Sequence, residues 1–423
     1  MRTADDLRQK QALPLSLKVA LTKERIRQWV NEYGEDGVFV SYSGGKDSTV
    51  LLHIVRSLYP NIKAVFCDTG LEYPSIRAFV KKTENVEILK PKMTFREVIN
   101  KYGYPVISKE IASMADITKK YIAKVKKDKQ TDMNIPAYAF ADLLGVPRRL
   151  DAKQSEEYAK IKEGNIPDIF FKDAPTRVKM LYGRLEHKEK GQLTGEYSRM
   201  YDRSKYRFLI FSPFRVSDRC CRIMKKNPSH KYQVDNNMNP MTGQMADESR
   251  LRKKVWIQHG CNMFDAKYPI SNPMSFWTEQ DVFKYIKENN IEIAAPYGEI
   301  VPKNGTGYDG QMTLADMLED YSDVEYTTTK NQRTGCVFCL FGINSDKERF
   351  VRLADEEPQL YDYVMRGGEW STDGIWQPSN EGLGYWFVIL WLNRYGNIGI
   401  KAPNMEHYEV KYGDERTREE LTE

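Results

Sequence analysis

Val38-Phe39-Val40-Ser41-Tyr42-Ser43-Gly44-Gly45-Lys46-Asp47-Ser48 carries a short apolar run directly into a glycine turn. Beyond it Leu51, Ile54, Val55 and Leu58 recur at helical spacing, so the segment predicts a strand, a tight turn and a helix. Two adjacent glycines let backbone N–H groups converge on an anion, and the helix N-terminus adds its partial positive charge. Ser43 and Ser48 offer hydroxyl donors beside Gly44 and Gly45, Lys46 can neutralise phosphate, and Asp47 can hold Mg²⁺ against it. The order is not that of a Walker loop, which needs a longer glycine-spaced turn ending in Gly-Lys-Ser/Thr.

From Gly37 to about Leu89 the pattern repeats as strand, helix, strand, helix, strand, with Ile62–Cys67 as the second strand and Val86–Leu89 as the third. Such alternation indicates an α/β fold with a doubly wound parallel sheet and ligands at the carboxyl ends of its strands. Asp68-Thr69-Gly70 stands at one such end and is expected to contact a nucleotide or its metal. Residues 1–36 read as an N-terminal helical extension, with Leu17, Val19, Leu21, Ile26, Trp29 and Val30 interleaved with charges. Residues 37–105 form the first part of the nucleotide-binding core, 106–215 a basic, aromatic-rich helical insertion, 216–345 the rest of the core with four cysteines, and 346–423 a helical, aromatic C-terminal extension.

Within the insertion, Lys119, Lys120, Lys124, Lys126, Lys127 and Lys129 precede a mixture of cations and aromatics from Tyr182 to Arg207. That mixture suits phosphate neutralisation and base stacking, and equally the solvated face of a helix. The net charge of +5 selects neither. With 41% hydrophobic and 29% charged residues the composition is that of a globular protein. The sequence has no apolar segment of membrane-spanning length, and its polar N-terminus is unlike a secretion signal. A cytoplasmic location is expected, where six cysteines stay reduced and read as ligands or nucleophiles.

Cys220-Cys221 and Cys336-Val337-Phe338-Cys339 form the second constellation. A CxxC alone serves zinc, an iron–sulfur cluster or redox exchange. A vicinal pair is awkward on one tetrahedral zinc, whereas a cubane offers separate corners to neighbouring thiolates. Arg219, Arg222, Lys225 and Lys226 flank the pair and would hold anionic thiolates.

The loop Ser43–Ser48 resembles the pyrophosphate loop of the N-type ATP pyrophosphatases, which cleave ATP between its α and β phosphates. The CysCys and CxxC pairs resemble the [4Fe-4S] ligands of assimilatory adenylylsulfate reductases. Gly243-Gln244-Met245-Ala246-Asp247-Glu248-Ser249-Arg250 and Pro273–Ile286, with Trp277-Thr278 and Asp281-Val282, resemble two regions of the phosphoadenosine phosphosulfate (PAPS) reductase family. The resemblance runs from about Gly37 to Gly342 and implies an adenine nucleotide alpha hydrolase-like fold. Two departures separate the chain from true reductases. Their C-terminal nucleophilic cysteine has no counterpart, since the last cysteine is Cys339, and Met245 replaces an arginine that contacts substrate anions.

The resemblance implies an enzyme that uses ATP and Mg²⁺ to adenylate an acceptor, with Lys46 and Asp47 at the phosphates and Glu248 and Arg250 positioning acceptor or phosphate. Cys261 is the spare thiol and a candidate sulfur carrier. A sulfur donor such as a cysteine desulfurase and a tRNA or DNA acceptor are the implied partners, with no membrane. Two alternatives stay open: an adenylylsulfate or PAPS reductase, and a non-catalytic nucleotide- and redox-sensing module.

Overall fold

The computed structural model describes residues 2–128, 171, 173–189, 192–303 and 324–422. The chain divides into two units, one made of 1–92 with 223–337 and the other of 93–222 with 338–423. The insertion and the C-terminal extension read separately in the sequence thus contribute to one unit.

The first unit is built on a six-stranded sheet. In chain order its strands are β1 (Val38–Tyr42), β2 (Ala64–Cys67), β3 (Val86–Leu89), β4 (Asn239–Thr242), β5 (Asn262–Met263) and β6 (Ile270–Ser271), laid side by side as β3-β2-β1-β4-β6-β5. All neighbouring pairs are parallel except β5 with β6. Val38, Phe39 and Val40 are fully buried, as continuous apolar strands covered on both faces must be. Strand order reverses beside β1, so the crevice at the carboxyl ends of β1, β2 and β4 is where an open sheet of this kind takes its ligands.

Helices α1 (Ala4–Gln11), α2 (Leu15–Tyr33), α3 (Lys46–Arg56), α4 (Pro74–Lys82), α5 (Asn227–Asp235), α6 (Arg250–His259) and α7 (Glu279–Glu288) belong to this unit. On α2 the buried side is Lys18, Thr22, Ile26, Trp29 and Val30, one stripe at helical spacing. Leu17, read as part of the apolar face, is instead 52% exposed, one residue out of phase with that stripe. The Lys18 ammonium donates to both carboxylate oxygens of Asp281 on α7, at 2.8 and 2.7 Å, with Lys18 and Asp281 both buried. Asp281 also completes the capping box of α7, accepting from the N–H of Thr278 at 2.7 Å while the Thr278 hydroxyl caps the Asp281 N–H.

The second unit has a core of aromatic residues. Tyr385, Trp386 and Phe387 on the helix Tyr385–Gly396 are fully buried, and Trp376 meets Trp386 and Phe387 edge-on or tilted at 5.7 and 4.8 Å. In the long helix Lys109–Asp128, Lys119 does not face water as a phosphate-tracking lysine would. Its ammonium is buried, donating to the Ser212 carbonyl and hydroxyl at 3.1 and 3.0 Å and to the Phe214 carbonyl at 3.2 Å. Lys120 pairs with Asp116. The side chains of Lys126, Lys127 and Lys129 lie outside the described residues.

Burial pushes the Lys119 ammonium down to about 8, below its ordinary value of 10.5. Between those two values the unfolded chain binds the proton and the folded chain has released it, so stability gains from this group as pH rises through that window. Urea unfolding at pH 8 and pH 10 is expected to show this gain in the wild type relative to Lys119→Met. Equal pH responses in the two proteins would show that Lys119 does not titrate there.

Candidate active site

The crevice at the strand ends opens into a cleft of about 450 Å³ inside the first unit. Three of its walls come from strand ends: Ser41 and Tyr42 of β1 with the loop behind them, Val65, Phe66 and Cys67 of β2, and Leu89 of β3. Met245, Asp247, Glu248 and Arg252 close a further side beyond β4, and Arg333, Thr334 and Gly335 form part of the rim.

The turn after β1 has the form its sequence predicts. Gly44 holds φ at +68°, where an L side chain is strained, and a Cβ there would lie 2.8 Å from Val80. Gly45 is the N-cap of α3, so Lys46 and Asp47 occupy its first turn. The serine hydroxyls are turned into the loop itself. The Ser43 N–H donates to Ser48 Oγ at 3.2 Å, the Gly45 N–H to Ser43 Oγ at 3.3 Å, and the Ser48 hydroxyl to the Gly45 carbonyl at 2.9 Å. Tyr297, absent from the sequence reading, accepts from the Lys46 N–H at 3.1 Å and is held by the Thr334 hydroxyl at 2.7 Å.

Lys46 is 3% exposed. Its ammonium lies 2.9 Å from Glu279 Oε1 and 3.3 Å from Asp47 Oδ1, over the faces of Phe283 and Tyr297. Burial works to lower its pKa, but Asp47, Tyr297 and Glu279 together hold it above the ordinary lysine value, so the charge is retained. Asp47 Oδ1 is buried and accepts no hydrogen bond; its contact with Lys46 is within ion-pair range without hydrogen-bond alignment. An oxygen in that condition fits a cation ligand, since leaving it unpaired costs free energy.

Glu248 lines the cleft, where it accepts from the Met245 N–H at 3.0 Å and pairs with Arg252. Arg250 is exposed at the start of α6 and is not among the lining residues. The α6 guanidinium that lines the cleft is that of Arg252, one half-turn on, with its pKa lowered by burial and by Arg333. Met245 is buried in the wall, and Arg252, Arg333 and Lys225 supply the positive charge that position lacks.

Asp68, Thr69 and Gly70 are engaged in a turn of their own outside the lining. Asp68 accepts from Arg77 at 2.8 Å and from the Gly70 N–H at 3.1 Å, while the Thr69 hydroxyl donates to Glu72. From this end of β2 it is Cys67 and Glu72 that reach the cleft. The Cys67 thiol donates to the Met224 carbonyl at 3.1 Å, and burial, with Glu72 adding, pushes it up to about 11. It is therefore a protonated thiol at neutral pH. Cys261, just past the C-terminus of α6, is buried, accepts from the Ser275 hydroxyl at 3.3 Å, and is not among the lining residues.

None of the six cysteines is in a disulfide. Cys336 belongs to the first unit, and Cys220, Cys221 and Cys339 to the second. Directly after the vicinal pair, Arg222–Lys226 form a π-helical turn, a distortion often found at functional sites. Among the described residues no group of three or more His, Cys, Asp or Glu side chains is gathered as a metal site.

Residues 37–161 and 172–337 match the family model of the phosphoadenosine phosphosulfate reductase domain. The chain belongs to that family, a family of enzymes. It is 30% identical over 101 residues to the adenosine 5′-phosphosulfate reductase of Neisseria meningitidis serogroup B, covering 24% of this chain and 38% of that protein. Over 70 residues it is 39% identical to an uncharacterised protein of Methanocaldococcus jannaschii, covering 15% and 17%. The match thus spans less than half the length of these curated relatives. A phosphoadenylyl-sulfate reductase from Candida auris, in a phosphate complex, aligns over 70% of this chain and 90% of its own at 13% identity and a TM-score of 0.30. Among the described residues no helix is long and apolar enough to cross a membrane.

Proposed function

We propose that this chain binds ATP in the cleft and transfers its AMP moiety to an acceptor oxygen. The acceptor oxygen attacks the α-phosphorus, the bond to the bridging α–β oxygen breaks, and pyrophosphate leaves. A sulfur nucleophile then attacks the acceptor carbon, the C–O bond breaks, and AMP departs. The carrying observation is the buried, charged Lys46 at the first turn of α3, next to the unbonded oxygen of Asp47. Lys46 and the helix N-terminus stabilise the leaving pyrophosphate, Arg252 and Arg333 take further phosphate oxygens, and Val65, Phe66 and Leu89 offer an apolar surface for the base. Asp47 Oδ1 would hold Mg²⁺, which when bound supplies further neutralisation of the phosphates.

We propose separately that the chain carries an iron–sulfur cluster, which takes no part in these steps. A tRNA or DNA acceptor is favoured by the second unit's exposed antiparallel strands Glu186–Glu189 and Gln192–Tyr197, where Arg184, just before the first, lies over the Tyr197 ring at 5.0 Å. A cysteine desulfurase would supply the sulfur.

A second reading, reduction of adenylyl sulfate, is favoured by the similarity to the Neisseria reductase. It requires a thiol at the sulfonucleotide, and Cys67 is the cysteine that lines the cleft. Anaerobically purified protein incubated with ATP, sulfide and tRNA or DNA is expected to release AMP and pyrophosphate and to contain iron and acid-labile sulfide. Sulfite release from adenylyl sulfate, with ATP left intact, would instead establish the reductase. Tight binding of ATP with no product would make the chain a sensor.

A further inference from the structure

The loop's anion-binding groups are occupied by other residues of the chain. The Gly45 N–H is taken by Ser43 Oγ, the Lys46 N–H by the Tyr297 hydroxyl, and the Lys46 ammonium by Glu279. The Ser43 hydroxyl is neutral and can rotate away, and the buried Tyr297 oxygen, though fixed by its ring, carries no net charge. Glu279 is different, because it brings a full negative charge to the spot where a phosphate would sit.

An arriving phosphate must take Lys46 from one of its two carboxylates. Lys46 itself is fixed, 3% exposed and lying over the Phe283 and Tyr297 rings at 5.5 and 5.9 Å. Asp47 is the next residue on the same helical turn. Glu279 has a side chain 42% exposed and can turn into water without a large desolvation cost. Its backbone stays in place, since α7 is pinned at its N-terminus by the Thr278–Asp281 cap and the Lys18–Asp281 ion pair. The displaced carboxylate therefore remains at the mouth of the cleft, facing the same phosphates as Asp47.

Resting on the nucleotide-binding reading, we infer that Glu279 is a specificity-determining residue that selects nucleotides carrying a divalent cation over bare adenylyl anions. A polyphosphate that brings Mg²⁺ presents a cation to the two carboxylates, whereas adenylyl sulfate or metal-free ATP presents only negative charge. The first gains attraction and the second meets repulsion. On this account Glu279, and not the loop alone, biases the cleft toward ATP and away from sulfonucleotides.

The test is calorimetric titration of the full chain with α,β-methylene-ATP in Mg²⁺, the same analogue in EDTA, and adenosine 5′-phosphosulfate. The wild type is expected to prefer the Mg²⁺ complex. Glu279→Gln is expected to tighten the two metal-free ligands by about tenfold while changing the Mg²⁺ complex by less than about threefold, as removal of one like charge from a half-buried site should. Glu279→Asp, which keeps the charge, should retain the wild-type preference. If Glu279→Gln shifts all three affinities equally, or none, the inference is overturned while nucleotide binding stands. If the wild type binds none of the three, the nucleotide reading itself fails and takes the inference with it. Near-ultraviolet circular dichroism of the variants separates these outcomes from misfolding.

Discussion

Lys46→Ala is expected to reduce ATP-dependent pyrophosphate release by about a thousandfold, the upper end of what one oriented donor contributes to a developing anion. The loss comes from two sources. The variant has no ammonium at the leaving group, and it leaves the carboxylates of Asp47 and Glu279 facing the phosphates without the cation that now lies between them at 3.3 and 2.9 Å. Binding and turnover should therefore both suffer. Single-turnover release of pyrophosphate, measured with saturating nucleotide, isolates the second effect. A fall of less than tenfold would remove Lys46 from the chemistry and with it the main support for ATP cleavage.

Lys18→Met should destabilise the first unit by about 3–5 kcal/mol, because it leaves the Asp281 carboxylate buried with its charge uncompensated. Lys18 and Asp281 side chains are only 3% and 11% exposed, so water cannot take over the lost partner. Urea unfolding followed by tryptophan fluorescence is a suitable measurement. Trp277 donates to Thr22 at 2.9 Å, one turn of α2 beyond Lys18, and reports on this contact directly. A change under about 1 kcal/mol would place the pair among those screened by solvent. The variant also tests how rigidly α7 presents Glu279, since the same carboxylate caps that helix.

The parts of the fold legible in the sequence are those fixed by neighbours in the chain. Val38–Val40 announces a strand by its apolar run, Val86–Leu89 one by its place after a second strand and helix, Gly44 and Gly45 announce the turn, and Thr278 with Asp281 announces a helix start. Strand β4 gives no such signal. Asn239-Pro240-Met241-Thr242 contains a proline yet pairs with β1 in the interior of the sheet, where proline is ordinarily excluded. Two-residue strands such as β5 and β6 carry no periodicity at all.

The site divides in the same way. Lys46 and Asp47 are found by motif because the loop is contiguous. Arg252, Arg333, Glu279, Tyr297, Glu72 and Lys225 come to the cleft from distant positions, and their residue types alone mark nothing. Asp68 stands at the end of β2, where a contact to a nucleotide or its metal is expected, and its carboxylate accepts from Arg77 on α4. Cys261 looked available because it was spare, and its burial against Ser275 could not be read from its neighbours.

The pairing of β1 with β4 has a consequence for how the protein is made. During synthesis β1 leaves the ribosome ahead of β2 and β3, and the partner for its remaining edge follows only about 200 residues after β1 itself. At roughly 5–20 residues per second that edge stays open for about 10–40 s. In that interval Val38, Phe39 and Val40 lie on a strand that β2 can pair along one edge only. Nucleotide cannot shelter it either, because Met245 and Arg252 of the cleft have yet to be translated. The growing chain therefore passes through a window in which that edge of β1 has no strand of its own to pair with.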